Sequence, residues 1–326
     1  MKNINIISWN IENFIKIDEI INNHRLIQLL INTDIIFFQE WVEKIDKGIL
    51  LFNILNKFES KFQYNYIDRC CIIFNTKLFK EVRQLEIPLK NISFIDIIER
   101  TYTQGIKHSS LYLSLVPVHD PTLIIHCICF HLATLNPYKH PLIHKEQMSI
   151  IMSTIVNNFN KKLKNGVIIA GDTNYRIEDN ELLDSLIKYK FIKQIPGDFI
   201  DVCENSGCIN TPTQSFKHLH ELNFVKYAAK LWSKHKIYKC KKNPNTSDCY
   251  NNPILDNRLD FIATNLINYP KTRIIKYFKL SDHSLIKSQI ILKIKDNIIC
   301  KNITRKHNIN KNKKNNKKNN TKKYFN

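Results

Sequence analysis

Apolar residues along this chain fall into two kinds of pattern. Continuous short runs, such as Ile4 to Trp9, Ile35-Ile36-Phe37-Phe38 and Val167-Ile168-Ile169-Ala170, have the length and β-branched content of buried strands. Further strands are predicted at 63–68, 71–75, 109–116, 122–130 and 166–171. Between them, Ile17, Ile20, Ile21, Leu26, Leu29 and Leu30 recur near helical spacing over 15–31, and a long helix is expected over about 140–163. Arg258-Leu259-Asp260-Phe261-Ile262 opens a late strand, and Ser281-Asp282-His283-Ser284 precedes the last one. Strands gathered in two layers and flanked by helices make an α/β sandwich. Residues 203–255, rich in Asn, Lys and Cys, read as long surface loops carrying one helix around 221–234, and no internal repeat interrupts the series.

Composition adds a basic character to this picture. The 326 residues are enough to bury a sizeable core. Residues 301–326 hold ten Lys or Arg and no acid, so half of the net charge of +20 lies in a tail too poor in apolar residues to fold. Body and tail are both basic, which favours a polyanionic partner: nucleic acid, or an anionic lipid surface. Nine cysteines without a C-x-x-C pair argue against a disulfide framework or a zinc module and for a reducing compartment. Cys70, Cys71, Cys127 and Cys129 sit within apolar runs and read as core fillers. No apolar stretch is long enough to span a bilayer, and Met1 to Ile4 runs directly into a strand with no room for a signal peptide. The expected location is cytoplasmic or nuclear.

Polar residues at the strand ends carry the chemistry. Asp172 and Asn174, two apart in an extended segment, point to one face and can address one small object together. Ser8-Trp9-Asn10-Ile11-Glu12 closes the first strand, Phe38-Gln39-Glu40 the second, and Cys129-Phe130-His131-Leu132 another. Taken singly, each is a turn residue, a helix cap or a hydrogen-bonded structural histidine. Their number and order set them apart.

Together the motifs W-N, Q-E, H-L, G-D-x-N, D-F-I and S-D-H resemble those of the endonuclease/exonuclease/phosphatase superfamily, the deoxyribonuclease I-like group, over Trp9 to about Leu292. The resemblance implies a four-layer α/β sandwich with two central mixed β-sheets flanked by helices. It also implies an active site at the edge where strand ends converge; with the composition, it assigns 1–300 to a catalytic domain and leaves 301–326 as a disordered basic tail.

Phosphate-ester hydrolysis needs a cation for the phosphoryl oxygens, a base for the water and donors for the transition state. Glu40 offers a hard oxygen ligand for Mg²⁺, or Mn²⁺ in its place, with Asn10 as helper. Asp172 would orient or deprotonate the water, and Asn174 would hold the phosphate or the water. Asp260 and His283 resemble the family's carboxylate–histidine pair, Asp282 a further metal-side carboxylate, and His131 the second histidine that stabilises the phosphorus centre. Arg176 is a candidate phosphate contact, since a guanidinium fork matches phosphate geometry.

Gly171-Asp172-Thr173-Asn174 resembles the 5′-tyrosyl-DNA phosphodiesterase branch, whereas Asn174-Tyr175-Arg176-Ile177 resembles the phosphoinositide 5-phosphatases. Pro253 to Asp260 lacks the Trp-Cys of those phosphatases and favours the nuclease-like branches. The expected activity is hydrolysis of phosphodiester bonds in nucleic acid or protein–nucleic acid linkages. The alternatives are a phosphoinositide 5-phosphatase or sphingomyelinase-like headgroup hydrolase, and a binding module without activity.

Overall fold

The computed structural model describes residues 2–41, 47–57, 60–89, 108–132, 141–173, 200–201, 260–268, 272–275, 280–281 and 283–294. The chain divides into two units, Met1–Ile294 and Lys295–Asn326. The second unit lies outside the described residues, as does the region expected to hold a helix at 221–234.

In chain order the elements are β1 (Asn3–Asn10), a 3-10 turn (Glu12–Phe14), α1 (Ile17–Asn22), α2 (His24–Ile31), β2 (Ile35–Gln39), α3 (Lys47–Asn56), β3 (Phe62–Ile67), β4 (Cys70–Asn75) and β5 (Phe79–Leu89). There follow β6 (His108–Pro117), β7 (Leu123–His131), α4 (Pro141–Asn157), β8 (Lys164–Asp172), β9 (Ile200–Asp201), β10 (Asp260–Thr264), β11 (Leu266–Asn268), β12 (Arg273–Ile275) and β13 (Leu285–Ile294). One sheet has the order β11-β13-β1-β2-β4-β3, with β12 also on β13, and the other has β5-β6-β7-β8-β10-β9. Each is mixed: β1 runs parallel to β2 and β7 to β8, while the other described pairs are antiparallel. Parallel neighbours need a crossover, and α1–α2 and α4 supply the two.

Alternation within the strands builds the four layers. Ile4, Ile6, Ile35, Phe37, Cys70, Ile72 and Phe74 of the first sheet meet Leu111, Leu113, Ile125, Cys127, Cys129, Ile168, Ala170 and Ile262 of the second in one core. The intervening residues face outwards: Ile7, Trp9, Ile36, Phe38, Cys71 and Ile73 pack under Leu26, Leu30 and Leu51 of the helices. Ile128, Phe130, Val167 and Ile169 pack under Ile151 and Ile155 of α4. Both faces of each central strand are covered, which is why these strands read as unbroken apolar runs. The four described cysteines are buried free thiols, as expected of core fillers.

The structure departs from the pattern in three places. The helix expected over 15–31 is two helices, because Asn23 leaves helical geometry (φ −84°, ψ 89°) and its side chain caps α2 by accepting from the Leu26 N–H. The helix expected to reach 163 stops at Asn157, ahead of a turn in which Asn165 Oδ1 accepts from the Asn160 N–H. The alternation also fails to announce α3, β5 and the short β9, β11 and β12. Strand β5 pairs with only one described strand, β6, and Lys80, Arg83, Gln84 and Glu86 along it are exposed, so its composition is polar. Among the described residues, no helix is long and apolar enough to cross a membrane.

Candidate active site

The inter-sheet faces turn polar at one edge without changing phase. Asn10 continues the face of Ile4 and Ile6, Gln39 that of Ile35 and Phe37, His131 that of Cys127 and Cys129, and Asp172 that of Ile168 and Ala170. Asp260 shares its face with Ile262. Parallel pairing puts the C-terminal ends of β7 and β8 side by side, so His131 lies opposite Asp172. The antiparallel β10 brings its first residue, Asp260, opposite Asp172 from the other side. In the other sheet, Asn10 is registered with Gln39. Gly171 permits this packing, since a Cβ there would run into the carbonyl oxygen of Phe130.

Asp172, almost fully buried, is the focus of the site. The Asn10 side-chain amide donates across the sandwich to Asp172 Oδ2 (3.0 Å) and within its own sheet to Glu40 Oε1 (3.1 Å), so one group spaces two carboxylates. His131 Nε2 lies 3.3 Å from Glu40 Oε1 and 3.6 Å from Asp172 Oδ2. From the far side, His283 Nε2 stands 3.7 Å from Asp172 Oδ2, and Nδ1 of the same ring is 2.8 Å from Asp260 Oδ2. A carboxylate only accepts, so that bond places a proton on Nδ1 and turns Nε2 towards the site.

Glu40 adopts φ 57°, a left-handed conformation costly for a residue with a Cβ, at the point where β2 delivers it to the cluster. Burial acts to raise its pKa, but hydrogen bonding and charge from His131, helped by Asn10, prevail and hold it near 2. For His131, burial acts to lower the pKa, and the hydrogen bond and charge of Glu40 with the charge of Asp172 overcome it, leaving the pKa raised. The two form an ion pair in which His131 is buried and Glu40 partly exposed.

The donors fit a hard divalent cation: Glu40 is an ionised carboxylate beside an amide-bearing residue. Asp172, Asp260 and His283 bring further ligand-capable atoms within 4.8 Å of one another. Six of the residues singled out in the sequence, Asn10, Glu40, His131, Asp172, Asp260 and His283, are thus brought together from six chain segments. Asn174, Arg176 and Asp282 lie outside the described residues. The motif reading gave no role to Ser281 or to the Trp9 ring. The Trp9 indole N–H donates to the His283 carbonyl (3.1 Å), and the Ser281 hydroxyl donates to the Asn10 carbonyl (2.8 Å). A serine two residues before a histidine in a loop is a recognisable signal for such backbone bonding.

Two mixed sheets packed face to face and flanked by helices give the chain the endonuclease/exonuclease/phosphatase fold of the solved structures it resembles. Among solved structures, it is similar to an endonuclease/exonuclease/phosphatase of Bacteroides vulgatus, at 10% identity and TM-score 0.55 over 90% of this chain and 100% of that one. It is similar to TDP2 of D. rerio complexed with a single-strand DNA product, at 16% identity and TM-score 0.53 over 89% of this chain and 100% of that one. A third is the human Nocturnin catalytic domain with bound sulfate, at 14% identity and TM-score 0.53 over 89% of this chain and 94% of that one. No protein-family model and no curated protein matches the chain.

Proposed function

We propose that the protein is a divalent-metal-dependent phosphoesterase that hydrolyses phosphodiester bonds in nucleic acid or in protein–nucleic acid linkages. The observation that carries this reading is the position of Asp172, held between the Asn10–Glu40–His131 group and the Asp260–His283 pair. Glu40, with Asn10 and Asp282, would hold a Mg²⁺ or Mn²⁺ ion, which when bound supplies neutralising charge for the phosphoryl oxygens. Asp172 takes the proton of the attacking water or orients it. His283, its ring fixed by Asp260, presents Nε2 to the same centre. His131 donates to a phosphoryl oxygen as negative charge develops there. Asn174 and Arg176 are assigned to hold the phosphate.

The substrate class is supported by charge and by likeness. A net charge of +20 favours a polyanion, and TDP2 of D. rerio, similar in fold, is complexed with a single-strand DNA product. The test is hydrolysis by the purified protein with Mg²⁺ or Mn²⁺ of single-stranded DNA, duplex DNA, a 5′-tyrosyl oligonucleotide and a soluble inositol phosphate. Cleavage of the DNA substrates, lost in Asp172→Asn, is expected. Turnover of the inositol phosphate alone would move the protein to the headgroup hydrolases, and inertness towards all four would end the phosphoesterase reading.

A further inference from the structure

A histidine delivered by a loop is placed only as well as the loop backbone is fixed. His283 stands just ahead of β13, and its backbone is held by side chains on both polar groups. Its N–H donates to Ser281 Oγ at 3.1 Å, and its carbonyl accepts from the Trp9 indole at 3.1 Å. The Ser281 hydroxyl, fully buried, donates to the Asn10 carbonyl at 2.8 Å. Asn10 is also the residue whose amide spaces Glu40 from Asp172. One hydroxyl therefore links the strand that sets the carboxylates to the loop that carries the imidazole facing them.

We infer that Ser281 is a positioning residue for the reaction: its hydroxyl fixes the distance between His283 Nε2 and Asp172 by tying the histidine backbone to β1. A merely structural serine would fill space and satisfy its turn. A positioning serine makes the rate depend on the hydroxyl itself, since a displacement of about 1 Å at a reacting group costs on the order of a hundredfold in rate. The rate effect rests on the phosphoesterase reading; the placement of the ring does not.

The test compares Ser281→Ala with Ser281→Cys, which keeps the volume but hydrogen-bonds weakly. In both variants kcat on a short phosphodiester substrate should fall by about tenfold to a hundredfold, with KM within about twofold of wild type. The ring ¹⁵N signals of His283, recorded at one pH in the metal-free protein, should move in both. A wild-type rate in Ser281→Cys would show that volume and not the hydroxyl matters, and would overturn the inference. Unmoved ring signals, or a lowered melting temperature at full kcat, would overturn it as well. If the wild-type protein turns over no phosphoester, that result falls on the proposed function, and the ring signals still decide whether Ser281 places His283.

Discussion

Replacing Asp260 with Asn alters one functional group in a fully buried position and leaves the side-chain shape unchanged. Its Oδ2 sits 2.8 Å from His283 Nδ1, and this bond both fixes the tautomer and supports positive charge on the ring. A hydrogen bond to an ionised partner contributes about 1.5–3 kcal/mol and a neutral one about 0.5–1.5 kcal/mol. The exchange therefore withdraws roughly 1–1.5 kcal/mol of support if the amide oxygen still faces Nδ1, which predicts a fall in kcat of about tenfold. If the amide nitrogen faces the ring instead, the tautomer inverts and Nε2 carries the proton. The loss is then larger, on the order of the 10⁴ known for the same exchange in a serine-protease triad. Because the carboxylate acts through the histidine, Asp260→Asn combined with His283→Ala should be no slower than His283→Ala alone, within about twofold. The assay is single-turnover cleavage of a short oligonucleotide, with thermal unfolding to confirm that each variant is folded. Fully additive effects on log kcat would refute the pairing. So would a fall in melting temperature without a fall in rate.

Other perturbations separate the remaining roles. Glu40→Gln should raise the Mg²⁺ or Mn²⁺ concentration needed for half-maximal activity by about tenfold or more, as a hard anionic donor is removed, and EDTA should abolish turnover of the wild type. Retention of full activity in EDTA would remove the metal from the mechanism. The Glu40–His131 ion pair, 3.3 Å apart, should stabilise the metal-free protein most between about pH 4.5 and 6.5. The Glu40 contribution is present above its ordinary 4.5 and lost as pH falls towards about 2, and the His131 contribution is complete below 6.5 and lost as pH rises through its raised value. Urea unfolding of wild type and Glu40→Gln should differ most inside that window, and a pH-independent difference would contradict the pair. Removing residues 301–326, with their ten basic side chains, should leave kcat on a short substrate unchanged while weakening binding to long DNA and flattening its salt dependence. An unchanged salt slope would deny the tail a nucleic-acid role, and release from anionic vesicles without loss of DNA binding would assign it to lipid.

Much of the site was legible because strand alternation is a local property. Once Ile4 and Ile6 are recognised as one face, Asn10 is on that face too, and the same holds for Asp172 after Ile168 and Ala170. The elements that stayed hidden are those whose sequence is set by partial exposure. Strand β5 alternates irregularly because it pairs with only one described strand, β6, and its register shifts between Glu81 and Arg83. The break at Asn23 could be read only weakly, since an asparagine within apolar periodicity is as compatible with one helix as with two until its side chain is seen to cap α2.

By itself, the sequence determined which residues form the central buried strands, which of them share a face, and which polar residues end up at their termini, because backbone geometry fixes the period of two within each segment. Only the tertiary structure decided that these termini meet. The meeting depends on strand order and register between segments far apart in the chain, as in the Asn10–Asp172 bond across 162 residues and the Trp9–His283 bond across 274. It also depends on the left-handed turn that aims Glu40 inwards. No local rule encodes such contacts. They follow from burying both faces of two sheets at once, which gathers the polar ends of the inter-sheet layer at one edge.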